Sequence, residues 1–271
     1  MNNLFVVFLF LIHLACTTPS VNSSPDQISN EIKVSNSKGI DSIPGHVQKL
    51  MACYTSVVGF SNNNLHFKDG SSLRYDDQKV KSELELLNNP DVEDMFKYIY
   101  RCWRSELIPP FYDPGRIRVD SFFMKIYGST KSEVQQNLVK VKWCPKLINQ
   151  DILVTSVNNV HLKIDSISRE LDNMPHLKEY LQNIGGTFNW RQISGTKRMS
   201  MHSFGMTVDI NTKFSNYWQW DCHCKNEEAK LLYQNKIPLE IVSVFEKYGF
   251  IWGGNWYHYD TMHFEYRPEL L

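Results

Sequence analysis

Excess charge of either sign is missing from this chain of 271 residues: 29 Lys and Arg stand against 29 Asp and Glu. A net charge of zero leaves no electrostatic footprint for nucleic acid and no pull towards anionic lipid. No nucleic-acid partner is therefore expected, and a substrate must be found by pocket chemistry rather than steering. A membrane-spanning run is missing as well. The apolar stretch from Leu4 to Leu14, in LFVVFLFLIHLAC, is too short to cross a bilayer and runs straight into a polar segment. That is the layout of an export-signal core. No internal repeat appears, which excludes a solenoid. Cysteine is sparse, six in all. No second cluster stands at finger-like spacing from Cys222-His223-Cys224, so that run is a weak metal motif.

What is present is globular: 42% hydrophobic and 13% aromatic, enough for one domain with an appendage or two small domains. Residues 1–16 read as the signal peptide. Its end, HLAC at Cys16, is similar to a relaxed bacterial lipoprotein cleavage site, with His13 where a larger aliphatic residue is usual. A lipid on Cys16 would tether the mature chain to a membrane; ordinary secretion with cleavage nearby is the alternative. Either route puts the chain outside the cytoplasm, in the periplasm or on the cell envelope, where disulfides are permitted. Five further cysteines, Cys53, Cys102, Cys144, Cys222 and Cys224, make an odd number and leave at least one unpaired.

Residues 17–40 are rich in Ser, Asn and Pro and read as a flexible tether. Residues 41–108 read as a helical N-terminal region, with helices over DDQKVKSELELL and DVEDMFKYIYRCWRSEL. Pro109-Pro110 and the Asp-Pro-Gly at 113–115 mark a boundary, and residues 109–271 form the main domain. There, Thr130 and Glu133 hold capping-box spacing at the start of a helix. DILVTSV is β-branched and strand-like, and Val160, Ile164, Ile167 and Leu171 recur at helical spacing. TFNWRQI, GMTVDIN and the aromatic WYHYDTMHFEYRP read as strands. Pro238 and Gly249 bracket a helix over PLEIVSVFEKYG. Helices and short strands without a βαβ rhythm predict an α+β fold, a small antiparallel sheet flanked by helices.

The chemistry concentrates in MSMHSFGMTVDI, Met199 to Ile210. Gly205 permits a tight turn between His202 and the strand that carries Asp209. On that strand Asp209 points away from the row Met206, Val208, Ile210, so a partner must satisfy it. A hydrogen-bonded His–Asp pair would do so. A metal would too, if a third ligand came from a distant strand and left a position open for water. DTMH offers that ligand in His263, with Asp260 three residues before it as a base. Positions i and i+3 of a strand face opposite sides, so shared service predicts a strand start or bulge at Thr261-Met262. His46, His66, His161, His176 and His223 read as ordinary surface or core groups, while His258 would line the pocket or replace a ligand.

These two segments carry a resemblance. S-M-H-S-F-G-M-T-V-D followed by D-T-M-H-F-E resembles the zinc D-alanyl-D-alanine carboxypeptidase family, which includes VanX- and VanY-type peptidases and L-alanyl-D-glutamate endopeptidases. Its signature is S-x-H-x-x-G-x-A-x-D, then a carboxylate three residues before a final histidine. Thr207 replaces the usual alanine. The likeness spans about residues 110–271 and implies the Hedgehog/D,D-peptidase fold. It also implies one Zn2+ held by His202, Asp209 and His263, with Asp260 as the general base that takes a proton from the water zinc activates. The substrates implied are peptidoglycan stem peptides. Arg191, on the strand before the first motif, fits the family's arginine, and Arg198 is its rival for the oxyanion or the substrate carboxylate. Ser200 would bond substrate. Glu265, two residues from His263, would orient that ligand as an acceptor or bridge to Arg267. Most aromatics of GFIWGGNWYHY, with Trp190, Trp218 and Trp220, read as core. The alternative function is a zinc-containing binding module of the cell envelope without catalysis, in which Asp260 would have no task.

Overall fold

The computed structural model describes residues 43–102 and 108–271; the segments read as signal peptide and tether, with Cys16, lie outside them. The fold is mixed, with several helices around small antiparallel sheets.

Residues 43–102 depart from the helical expectation. Helix α1 (Gly45–Cys53) buries Val47 and Leu50. A three-stranded meander then follows: β1 (Val57–Ser61), β2 (Asn64–Phe67) and β3 (Ser72–Arg74). Two turns drive it. Asn62 and Asn63 both take positive φ, 49° and 58°, the conformation of a two-residue hairpin turn. The second turn is locked by Asp69, whose carboxylate accepts from the Ser71 amide and hydroxyl. Of DDQKVKSELELL only α2 (Glu83–Asn88) is helical, opened by a full capping box between Ser82 and Glu85. The next expected helix is reduced to a 3-10 turn over Glu93–Phe96, because the Asp91 and Asp94 carboxylates bond nearby amides and the Lys81 ammonium instead.

In the remaining chain, α3 (Asp120–Tyr127) precedes α4 (Lys131–Gln136), where Thr130 caps the Glu133 amide as its spacing predicts. The predicted helix ends early, since LVKVKW becomes β4 (Leu138–Trp143), paired with β5 (Gln150–Thr155). Helix α5 (Val160–Leu171) lies on this hairpin with Val160, Ile164, Ile167 and Leu171 fully buried. Each such side chain contributes roughly 1.5–3 kcal/mol. After the short α6 (Lys178–Leu181), the site sheet forms: β6 (Thr207–Asp209), β8 (His263–Tyr266) and β7 (Phe250–Trp252), with β8 central and both pairings antiparallel. Helix α7 (Trp218–Cys222) borders the sheet's open end, and α8 (Leu239–Lys247) covers one face by stacking Phe245 on Phe264, 4.0 Å between centroids.

Two strand expectations fail in part. TFNWRQI makes only isolated bridges, Gly186 to Asp209 and Gln192 to Met199. Its polar groups go to the turn that follows: the Asn189 amide donates to His202 O, the Arg191 amide to Ser203 Oγ, and Arg191 O accepts from Ser200. In WYHYDTMHFEYRP the strand begins only at His263, after a turn at Thr261-Met262. That is the bend predicted there. One apolar core runs from α1 through α5 to β8, so the N-terminal segment packs into the same body as the main domain.

Candidate metal and catalytic site

Gly205 sets the first ligand. It closes the 3-10 turn Met201–Phe204 at φ +65°, and a Cβ there would lie 2.6 Å from Leu138 Cδ2 and 3.2 Å from Thr155 N. Only glycine fits both the torsion and the space. The turn delivers His202 so that Nε2 lies 3.0 Å from Asp209 Oδ2. His263 stands directly opposite Asp209 in the β6–β8 register, with Nδ1 2.9 Å from Asp209 Oδ1. One ligand atom from each of the three lies within 4.8 Å of the others.

The outer ring nitrogens are also committed. His202 Nδ1 meets Thr187 O at 3.0 Å and Thr207 Oγ1 at 2.9 Å. His263 Nε2 meets Glu265 Oε2 at 3.0 Å. Metal-binding histidines are held in this way, the far nitrogen donating to an acceptor so that the near one keeps a lone pair. Glu265 is fully buried and also accepts from Arg118 Nη2 at 2.6 Å and Arg267 Nη1 at 2.9 Å. It thus takes up both arrangements read for it, facing the histidine and bridging to Arg267. Burial opposes its charge, but Arg118, His263 and Arg267 hold its carboxyl well below the usual range. Burial likewise opposes the Asp209 charge, and the two histidines hold that carboxyl low. Burial lowers His263, yet Asp209 and Glu265 outweigh it and raise the ring to about 10. A cation at the centre would take the place of the ring proton on Nδ1, so the donor set fits a metal.

Asp260 lies just before the Thr261-Met262 turn. Its amide donates to Gly253 O at 3.0 Å, and a Cβ on Gly253 would sit 2.5 Å from Asp260 O. The backbone can approach this closely only at glycine. Burial first, then the Asp209 charge, lifts the Asp260 carboxyl to about 7, against the pull of His263 and His202. Its Oδ1 is buried with no hydrogen-bond partner among the described residues. A carboxylate near neutrality with one buried oxygen left unpaired has the profile of a general base.

Both groups face a cleft of about 520 Å³, whose wall carries Arg116, Arg118, Arg191 and Arg198. Arg116 is neutralised by Asp113 and Glu227, at 2.8 and 3.0 Å, and Arg118 by Glu265. Arg191 is exposed, and its guanidinium donates to Gln192 O at 3.4 Å; it lies on a loop, not on the expected strand. Arg198 is half-buried and its Nε has no partner among the described residues. Burial and the Arg116 and Arg118 charges lower its guanidinium to about 10. Ser200 is buried at the cleft edge.

His258 has no nitrogen to offer a metal: Nδ1 meets Asp113 Oδ2 at 2.6 Å and Nε2 meets Glu227 O at 2.8 Å. Cys222 and Cys224 are joined by a disulfide, which rules out the weak metal reading of that run; Cys53 and Cys144 carry free thiols. Two acidic groups near Asp91 already surround the Lys81 ammonium. Several functional positions escaped the sequence reading. Arg116, Arg118, Gly253, Thr187, Tyr217 and Glu227 carry no local signal that marks them.

Residues 194–266 match the model of a peptidase family described as D-alanyl-D-alanine carboxypeptidase. No curated protein and no solved structure gives a match. The matched span contains His202, Asp209, Asp260 and His263.

Proposed function

We propose that the chain is a zinc peptidase of peptidoglycan stem peptides, a D-Ala-D-Ala carboxypeptidase or a related endopeptidase, on a Hedgehog/D,D-peptidase-type fold. The observation that carries the reading is the pairing of a three-ligand set with a near-neutral carboxylate, one oxygen of it buried and unpaired, in one cleft. His202, Asp209 and His263 would hold the metal, and two nitrogens with one carboxylate suit zinc with a position left open. Zinc there supplies a water that ionises near neutral pH and polarises the scissile carbonyl.

The chain's own groups do the rest. Asp260 accepts the water's proton on its carboxylate and returns it to the leaving amine. Glu265 and Thr187 keep the two imidazoles in the required orientation. The unpaired Arg198 guanidinium favours a substrate carboxylate or a carbonyl oxygen gaining charge, and its burial makes it the better candidate than the exposed Arg191. Ser200 lines the approach. A binding module that had lost catalysis would have no reason to keep an oxygen of Asp260 buried and without a partner.

This reading includes export to the periplasm or cell envelope under the signal in residues 1–16, with a lipid on Cys16 as a membrane tether. No helix among the described residues is long and apolar enough to cross a membrane.

The test is digestion of muropeptides by the purified chain, with products weighed by mass spectrometry. Loss of one D-alanine, loss of a dipeptide and a split at L-Ala–D-Glu give three different mass shifts. Asp260→Ala is expected to keep about one zinc while hydrolysis falls by about 10²–10⁴-fold. Hydrolysis by that variant at the parent rate would remove Asp260 from the role of base.

A further inference from the structure

Tyr217 sits immediately before α7, in the lining of the cleft. Its backbone pairs with Asp260 in an isolated antiparallel bridge, so the two side chains leave neighbouring points of the chain on one face. Flanking bonds fix this pairing: the Asn216 amide donates to Thr261 Oγ1 at 2.8 Å and the Trp218 amide to Tyr259 O at 2.9 Å. The ring is set edge-on against Trp218 and Trp220, at 6.2 and 5.4 Å between centroids.

The Tyr217 hydroxyl differs from those of several other tyrosines. Tyr54, Tyr98, Tyr100 and Tyr259 each donate to a carboxylate, of Glu269, Glu83, Glu246 and Asp221. The Tyr217 hydroxyl makes no hydrogen bond among the described residues. Burial, then the Asp260 charge, pushes this phenol up to about 12, so it holds its proton at every pH where Asp260 works. A donor on a cleft wall with no protein acceptor is available to an acceptor on a ligand. The arginines on this wall suit a carboxylate. A neutral donor beside the base suits an oxygen that becomes charged only during reaction.

We infer that Tyr217 is a further catalytic residue, whose hydroxyl donates a hydrogen bond to the scissile carbonyl oxygen as that oxygen gains charge. The inference rests on the peptidase reading. It explains why the phenol does not bond Asp260: such a bond would stabilise the carboxylate and weaken the base.

The experiment compares the zinc-loaded full chain with Tyr217→Phe, which removes one oxygen and no protein hydrogen bond. Two readouts are taken: kcat and KM on a stem pentapeptide, and calorimetric affinity for a phosphinate analogue of its terminal dipeptide. The expected result is kcat lower by about 10–100-fold with KM within about twofold. Phosphinate affinity should fall by a similar factor, with metal content and Tm unchanged. Unchanged kcat and phosphinate affinity would overturn the inference, and so would an effect confined to KM. If the parent cleaves no peptide but phosphinate affinity still depends on Tyr217, the peptidase reading fails and the donor assignment stands. A parent that neither cleaves peptide nor binds phosphinate overturns both.

Discussion

Thr207 is the one place where the first motif departs from the pattern it resembles, and the structure gives the departure a role. The hydroxyl stands 2.9 Å from His202 Nδ1 and donates to Thr187 O at 3.2 Å. The ring N–H is therefore held by two oxygens, where alanine would leave one. Losing an outer partner of a metal-binding histidine typically costs 10–100-fold in affinity. Because Thr187 O remains, Thr207→Ala should weaken zinc binding by about tenfold, the lower end of that range. Competition against a chelator measures it, and an unchanged zinc affinity would show the hydroxyl to be a bystander. The grouping of His202, Asp209 and His263 was legible in the sequence, because a histidine and an aspartate on either side of a required glycine have few bland explanations. Their outer partners were not. Thr187, Arg118 and Glu227 reach the site through loops and register, which residue spacing does not encode.

Among the elements, α5, β5, β6 and α8 follow their sequence periodicity because each buries one clean apolar face. The meander β1–β3 was missed because its strands are three to five residues long and mostly half-exposed. Apolar alternation is weak there, and the real signals were the turns. TFNWRQI misled for the opposite reason. Its alternation is real, but its hydrogen bonds hold the Met201–Phe204 turn instead of a neighbouring strand. That turn is thus braced on one side by this loop and on the other by Gly205, whose carbonyl accepts from Thr155 N at 2.9 Å. Gly205→Ala forces a side chain into positive φ and against Leu138. The combined cost is roughly 2–4 kcal/mol. Urea unfolding of the metal-free protein should show it as a lower midpoint with unchanged slope. A loss below about 0.5 kcal/mol would mean the turn relaxes without strain.

Across the molecule, the N-terminal segment is tied to the site sheet by buried polar links. One runs from Tyr54 to Glu269, Arg267 and Glu265, and so to His263. The other centres on Tyr100, whose hydroxyl accepts from the Trp252 amide and Asn255 Nδ2 and donates to Glu246. Among the described residues no cation is seen to offset the Glu246 charge. Burial lifts its carboxyl to about 7, opposed by the Tyr100 hydrogen bond. In the unfolded chain the same group ionises near the ordinary glutamate value of about 4.3. Between those limits the folded state binds more protons than the unfolded one, so stability falls as pH rises. The favourable contribution is complete below the unfolded value and gone once pH has passed about 7. Glu246→Gln keeps an acceptor for Tyr100 and removes the charge. Metal-free variant and parent should differ little at low pH, whereas near pH 8 the variant should be the more stable by roughly 1–3 kcal/mol. Because every other titrating group is common to both proteins, their difference isolates Glu246. Urea unfolding at the two pH values decides it: a difference that does not change with pH would mean that Glu246 ionises normally in the fold.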